Sequence, residues 1–188
     1  MPDEFQAHFP WIADWLKRPI SDFFETGSRE YNIIRHFSKG WGKGDTVEFL
    51  KELTEKYGNA AGRTVQRYAK MNTIKDWTEI GKKEARGGTE IDDLIRVLWE
   101  PLMKIEGFEI TMNRENDTVI FYTTKCPIHD LAKKTGMNKW LFQIACSTDI
   151  HGPGAFSKKI GFKRTKTLMQ GKDCCNHRYY YVKRDNSV

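Results

Sequence analysis

Four cysteines, Cys126, Cys146, Cys174 and Cys175, crowd into one stretch of a 188-residue chain, together with three of its five histidines, His129, His151 and His177. In a reducing compartment such a cluster reads as thiol chemistry or metal binding before disulfides. The other reading is a set of small buried apolar side chains. Cys126 stands in TTKCPIHD. Proline after it disfavours helical geometry at Cys126 and suits the first helical position at Pro127, so Cys126 reads as a helix N-cap. A thiolate there would face free backbone N–H groups and the positive end of the dipole, which lowers its pKa. A buried cysteine at a strand end is the alternative.

Cys146 stands in FQIACSTDIHGPG. On a helix running through it, Cys146 and Asp149 would share a face, as nucleophile and base or as two metal ligands. A solvated Asp149 remains the other reading. In GKDCCNHRYYY, strand alternation puts Cys175, His177, Tyr179 and Tyr181 on one side. Cys174, Arg178, Tyr180 and Val182 fall on the other. A 174–175 disulfide is not expected, because adjacent cysteines bridge only with strain. His177 alone reads as a hydrogen-bonded core histidine or as a ligand. No C-x2-C pair occurs, and Cys126-x2-His129 is not a diagnostic metal spacing. GWGKGD at 40–45 is not a phosphate loop, and no G-x-S-x-G is present.

The elements that must position these residues are legible in part. Ile20, Phe23, Phe24, Gly27, Tyr31 and Ile34 recur at helix spacing. Asp45 with Glu48 three residues on predicts a helix N-terminus. Val47, Leu50, Leu53, Tyr57, Ala61, Val65 and Tyr68 make the buried stripe behind it. After Gly87 and Gly88, Thr89 can cap a third helix whose inward residues are Ile91, Leu94, Ile95, Leu98, Leu102 and Ile105, with Pro101 disturbing its ladder near Leu98. Beyond Gly107, FEITM and TVIFYTT flank the turn-forming NREND and predict a hairpin. Helices are expected from Pro127 to about Thr135 and from about Lys139 to Ile150, with HGPG as a turn. FKRTKTLMQ and HRYYYVK predict a second hairpin. The expectation is one α+β domain over 1–188, mainly helical in 1–106, with an antiparallel sheet of about four strands in 107–188.

Composition sets the class. The hydrophobic fraction is 39% and the charged fraction 30%, as in a globular protein. No uninterrupted apolar run exceeds four residues, against the roughly 20 that a membrane span needs. The start, MPDEFQAHFP, has acids where a signal peptide needs bases, so a cytoplasmic location is expected. The net charge is +6, and from Ser157 to Arg184 nine bases face one acid. A small anionic ligand fits that balance; nucleic acid is not expected as the partner. Oligomeric state leaves no mark in the sequence.

The order TTKCP, then IACSTDI, then FKRTKTLMQGKDCCNHRYYY resembles the L-2-amino-thiazoline-4-carboxylate hydrolase family over about the last 80 residues. That family's pattern has a cysteine after a strand, a C-x-x-D on the next helix, and a C-terminal G-x-x-x-C-x-aromatic-basic-aromatic strand. These fall here on Cys126, Cys146, Asp149, Gly171, Cys175, Arg178 and Tyr179. His177 stands where an aromatic is usual, and Cys174 is an additional thiol. The C-terminal pattern is also similar to vinyl-reductase-type small-molecule-binding domains, which share a glycine-then-cysteine strand ending. The resemblance implies a hydrolase that opens a small anionic C–N/C–S heterocycle. Cys126, Cys146, Asp149 and Cys175 would then be catalytic, with Arg178, Arg164, His177 and Tyr179 binding substrate. The resemblance fixes no cofactor. Zinc held by Cys126, Cys146 and Cys175 is the metal alternative, and a non-catalytic small-molecule or metal–thiolate binding module is the other class of function.

Overall fold

The computed structural model describes residues 4–182; Lys183 and Arg184, counted in the basic stretch and the last strand, lie outside the described residues. The class is α+β, with helices first and a four-stranded antiparallel sheet at the C-terminal end. Two compact units divide the described chain: 4–72 with 131–147, and 73–130 with 148–182. No helix among the described residues is long and apolar enough to cross a membrane.

The first unit is helical. Helices α1 (Glu4–His8) and α2 (Pro10–Trp15) precede a 3-10 turn at Ile20–Asp22. The helix expected across 20–34 does not form. Gly27 takes a positive φ of 85°, and Ser28 caps a new helix, α3 (Arg29–Gly40), by accepting from the Tyr31 N–H. Asp45 caps α4 (Thr46–Tyr57) as its spacing predicts, accepting from the N–H groups of Val47 and Glu48. The stripe from Val47 to Tyr68 is broken at Gly58 and continues on a second helix, α5 (Asn59–Glu84). Trp41 is the aromatic hub of this unit, with Phe5, Phe9 and Phe37 around it. Tyr68 donates to the Trp15 carbonyl. Further along the chain, α9 (Asn138–Ile144) adds buried Trp140, Leu141 and Ile144, and the Trp140 indole donates to Thr54 Oγ1 on α4.

The second unit holds the sheet. Helix α6 (Glu90–Leu94) passes into a π turn over Ile95–Trp99 and a last turn, α7 (Glu100–Leu102). Thr89 does not cap α6 with its side chain as expected; its hydroxyl donates to Asp93, which also accepts the Arg86 N–H. Pro101 has no N–H to give, and just before it the Glu100 N–H reaches back five residues to Ile95. The extra residue in that turn moves the inward stripe by one. Trp99 is buried where Leu98 was expected, Leu98 and Leu102 are partly covered, and Ile105 is exposed.

Strands β1 (Glu109–Glu115) and β2 (Thr118–Lys125) form the first hairpin. Its turn is tighter than NREND suggests, with Asn116 at positive φ. Helix α8 (Pro127–Thr135) follows β2 as expected and runs on into the first unit. HGPG is not a bare turn: Gly152–Phe156 is a short helix, α10. Gly81 on α5 admits this chain segment closely, since a Cβ there would lie 2.0 Å from the Phe156 carbonyl oxygen. Strands β3 (Ile160–Lys163) and β4 (Cys175–Tyr181) complete a sheet of order β1-β2-β4-β3. One sheet face packs Val119, Phe121 and Tyr179 with Ile91, Leu94, Ile95 and Trp99.

Candidate functional site

Strand β4 is the spine of the site. In its register with β2, Cys175, His177 and Tyr179 oppose Thr123, Phe121 and Val119. These six side chains share a face. Thr123, Phe121, Val119, His177 and Tyr179 are buried, and Cys175 is partly so. Arg178 and Tyr180 point the other way and are exposed, as period-two alternation requires. The structure therefore sets Arg178, named from the sequence as a substrate cation, on the opposite sheet face from His177. Arg164, one residue past β3, takes the inner position: its side chain is 7% exposed and its Nη1 donates to Asp149 Oδ2.

The same Asp149 oxygen lies 3.3 Å from His177 Nε2. Asp149 is thus a half-exposed carboxylate between a buried guanidinium and a buried imidazole. The imidazole meets the Trp99 ring edge-on at 5.1 Å and the Phe162 ring at 6.0 Å. Trp99 in turn stacks flat on Phe121, 4.1 Å centre to centre. Sequence reasoning missed Trp99 and Phe162. The spacing of Ile91, Ile95 and Trp99, four residues each, was the available signal for the first. Tyr179, named as a substrate contact, is sealed in this aromatic layer at 2% exposure, and burial pushes its hydroxyl pKa up.

Cys126 is the N-cap that its proline implies. Its carbonyl accepts the Asp130 N–H, and the amides of Ile128 and His129 point at its sulfur. The expected fall in its pKa is nonetheless overturned. Burial pushes the thiol up to about 11, outweighing the two amides, and the neighbouring charges of Cys175 and Asp149 add to the rise. Cys175 is also raised, chiefly by burial, although the Leu168 N–H donates to its sulfur at 3.3 Å and Arg164 opposes the shift. Cys174 is buried, and burial raises its thiol too.

Cys146 differs from expectation. Helix α9 ends at Ile144, so Cys146 and Asp149 do not share a helix face. Cys146 sits in a 3-10 turn, Cys146–Thr148, and belongs to the first unit, whereas Cys126, Asp149, Arg164, Cys175, His177 and Tyr179 belong to the second. Among the described residues no three His, Cys, Asp or Glu side chains gather to hold a metal ion, so the zinc set of Cys126, Cys146 and Cys175 has no support. Gly171, four residues before Cys175, ends the 3-10 turn Leu168–Gln170 in the left-handed region at φ 75°, a conformation that glycine adopts without strain.

Fold and site together define an α+β protein with a carboxylate, an imidazole and thiols on the covered face of an antiparallel sheet. The chain belongs to the L-2-amino-thiazoline-4-carboxylic acid hydrolase family, whose sequence pattern matches residues 28–179. No curated protein matches it. Among solved structures it is similar to a trafficking protein particle complex subunit 3 from Naegleria fowleri, covalently bound to palmitic acid. The identity is 12% and the TM-score 0.40, over 82% of this chain and 95% of that one.

Proposed function

We propose that this protein is a hydrolase that opens a small anionic heterocycle of the 2-amino-thiazoline-4-carboxylate kind. The observation that carries the reading is the shared oxygen of Asp149, in contact with Arg164 and His177 and electrostatically coupled to Cys126 and Cys175. Family membership supplies the substrate class.

Ring opening adds one water. Oxygen bonds to the amidine carbon, the ring C–S bond breaks, the sulfur leaves as a thiolate that takes up one of water's protons, and the ring nitrogen takes the other, giving an N-carbamoyl cysteine. Three tasks follow for the protein. Asp149 and His177 accept the proton from the attacking group and return one to the departing sulfur. Arg164 spends one N–H group on Asp149, and its other donors are suited to the substrate carboxylate. In a covalent version of the route, the Cys126 or Cys175 sulfur bonds to the amidine carbon as the ring C–S bond breaks, and water then displaces the enzyme sulfur to give the same product. Burial favours the protonated form of both thiols, so attack by either calls for a base to take its proton.

The test is turnover of 2-amino-thiazoline-4-carboxylate by the purified protein, followed as product by chromatography. Wild type should turn over, and Asp149→Asn or His177→Gln should lose on the order of 100-fold or more in kcat. Folded wild-type protein that binds this compound without opening it is a binding module, and the proposal falls.

A further inference from the structure

His177 has two ring nitrogens in different surroundings. Nε2 is 3.3 Å from Asp149 Oδ2. Nδ1 is buried and has no hydrogen-bond partner, although the His177 side chain is only 10% exposed. Buried polar atoms are paired in the great majority of cases, yet this layer holds two that are not, His177 Nδ1 and the indole Nε1 of Trp99. The Phe162 ring, 6.0 Å away between centres, offers Nδ1 no partner; the Trp99 ring, at 5.1 Å, carries an unpaired N–H that can only donate, so the one polar neighbour in this aromatic contact suits a bare Nδ1 and not a protonated one.

The partners decide which nitrogen carries the hydrogen. Arg164 can only donate, and it donates to Asp149 Oδ2. That oxygen is therefore an acceptor, and a contact between it and Nε2 requires the hydrogen to be on Nε2. A neutral ring then leaves Nδ1 bare. The opposite tautomer would set two acceptors against each other at 3.3 Å and would bury an N–H with nowhere to donate.

We infer that His177, through a bare Nδ1, is the proton acceptor of this site. Asp149, clamped by Arg164, is a positioning residue that fixes the Nε2–H tautomer. This rests on the reading of the site as an acid–base centre and reassigns two roles within it. His177 moves from substrate contact to catalytic base, and Asp149 acts through the ring instead of taking the proton itself. The step requires bound substrate to displace the cover over Nδ1, which the protein buries; one proton of the attacking water then goes to Nδ1 and the other to the ring nitrogen of the substrate. The first is returned from Nδ1 to the ring sulfur when the C–S bond breaks, so the imidazole ends the cycle as it began. The logic of a base oriented by a third group is general to hydrolytic centres.

The test needs no substrate. Ring nitrogen-15 shifts of histidine in the intact protein separate a bare nitrogen from a protonated one. The expected spectrum has His177 as the Nε2–H tautomer with a bare-type Nδ1, and Asp149→Asn moves the population toward the other tautomer. Arg164→Lys, which keeps a cation on Asp149, should leave the wild-type pattern in place. A wild-type protein with Nδ1 protonated overturns the inference with no variant needed. So does a tautomer that ignores Asp149→Asn. Turnover separates the roles: His177→Gln should cost at least about 100-fold in kcat with KM within a few-fold. If wild type shows the expected tautomer but opens no ring, the proposed function fails while the ring assignment stands.

Discussion

Cys126 shows two opposed effects on one sulfur. Its proline neighbour makes it a helix N-cap, and two amides favour the thiolate; the surrounding protein excludes water and disfavours it. Burial wins, and the thiol lies at about 11. At pH 8, iodoacetamide should therefore label Cys126 about two orders of magnitude more slowly than an unstructured cysteine of pKa about 8.5, read by mass spectrometry of the labelled peptide. The sign carries through to stability. A pKa above the unfolded value means that the fold favours the protonated thiol. Its contribution of about 3 kcal/mol is complete below about pH 8.5 and is lost as pH rises towards 11. Urea unfolding at pH 8 and 11 should show a smaller loss for Cys126→Ala than for wild type. Proline next to cysteine in the sequence was enough to place the cap. The sequence could not supply the balance, because desolvation depends on what the fold lays over the sulfur.

The elements that hold the site were legible where a local rule governs them. Alternation along β4 put Cys175, His177 and Tyr179 on one face, and the register bears that division out. Capping chemistry at Asp45 placed α4. Rules that assume a uniform period failed where the backbone changed period. The π turn at Ile95–Trp99 exchanged Leu98 for Trp99, and the end of α9 at Ile144 left Cys146 and Asp149 without a common helix face. Arg164 was legible as a cation, but its pairing with Asp149 spans fifteen residues and follows from the fold. Gly171 gives a test at this scale. Nothing lies within 4 Å of a Cβ built there, so Gly171→Ala meets no clash and suffers only from its positive φ of 75°. A loss of about 1–2 kcal/mol in chemical unfolding is expected. Gly171→Asn should lose less, since asparagine tolerates the left-handed region.

Over the whole molecule, residue spacing suggested a mainly helical 1–106 and a sheet-containing 107–188 with helices between its hairpins, and the elements follow that order. The compact units do not. The unit that carries the sheet takes 73–130 and 148–182, and its core joins Val119, Phe121 and Tyr179 to Ile91, Leu94, Ile95 and Trp99. A fragment of residues 107–188 would leave one side of that core in water. It should show no cooperative thermal transition by circular dichroism, whereas the full chain should; a cooperative transition in the fragment would mean that the sheet needs none of those four residues.

Trp99 lies flat on Phe121 and meets the His177 ring at an angle of 61°. An imidazolium beside an indole drains its excited state, whereas a neutral imidazole does so far less. The charge on His177 is thereby written into the light that Trp99 emits. Trp99 is one of six tryptophans; with the other five replaced by phenylalanine, its emission would follow the ring that the proposed chemistry protonates and deprotonates in each cycle, with no label added.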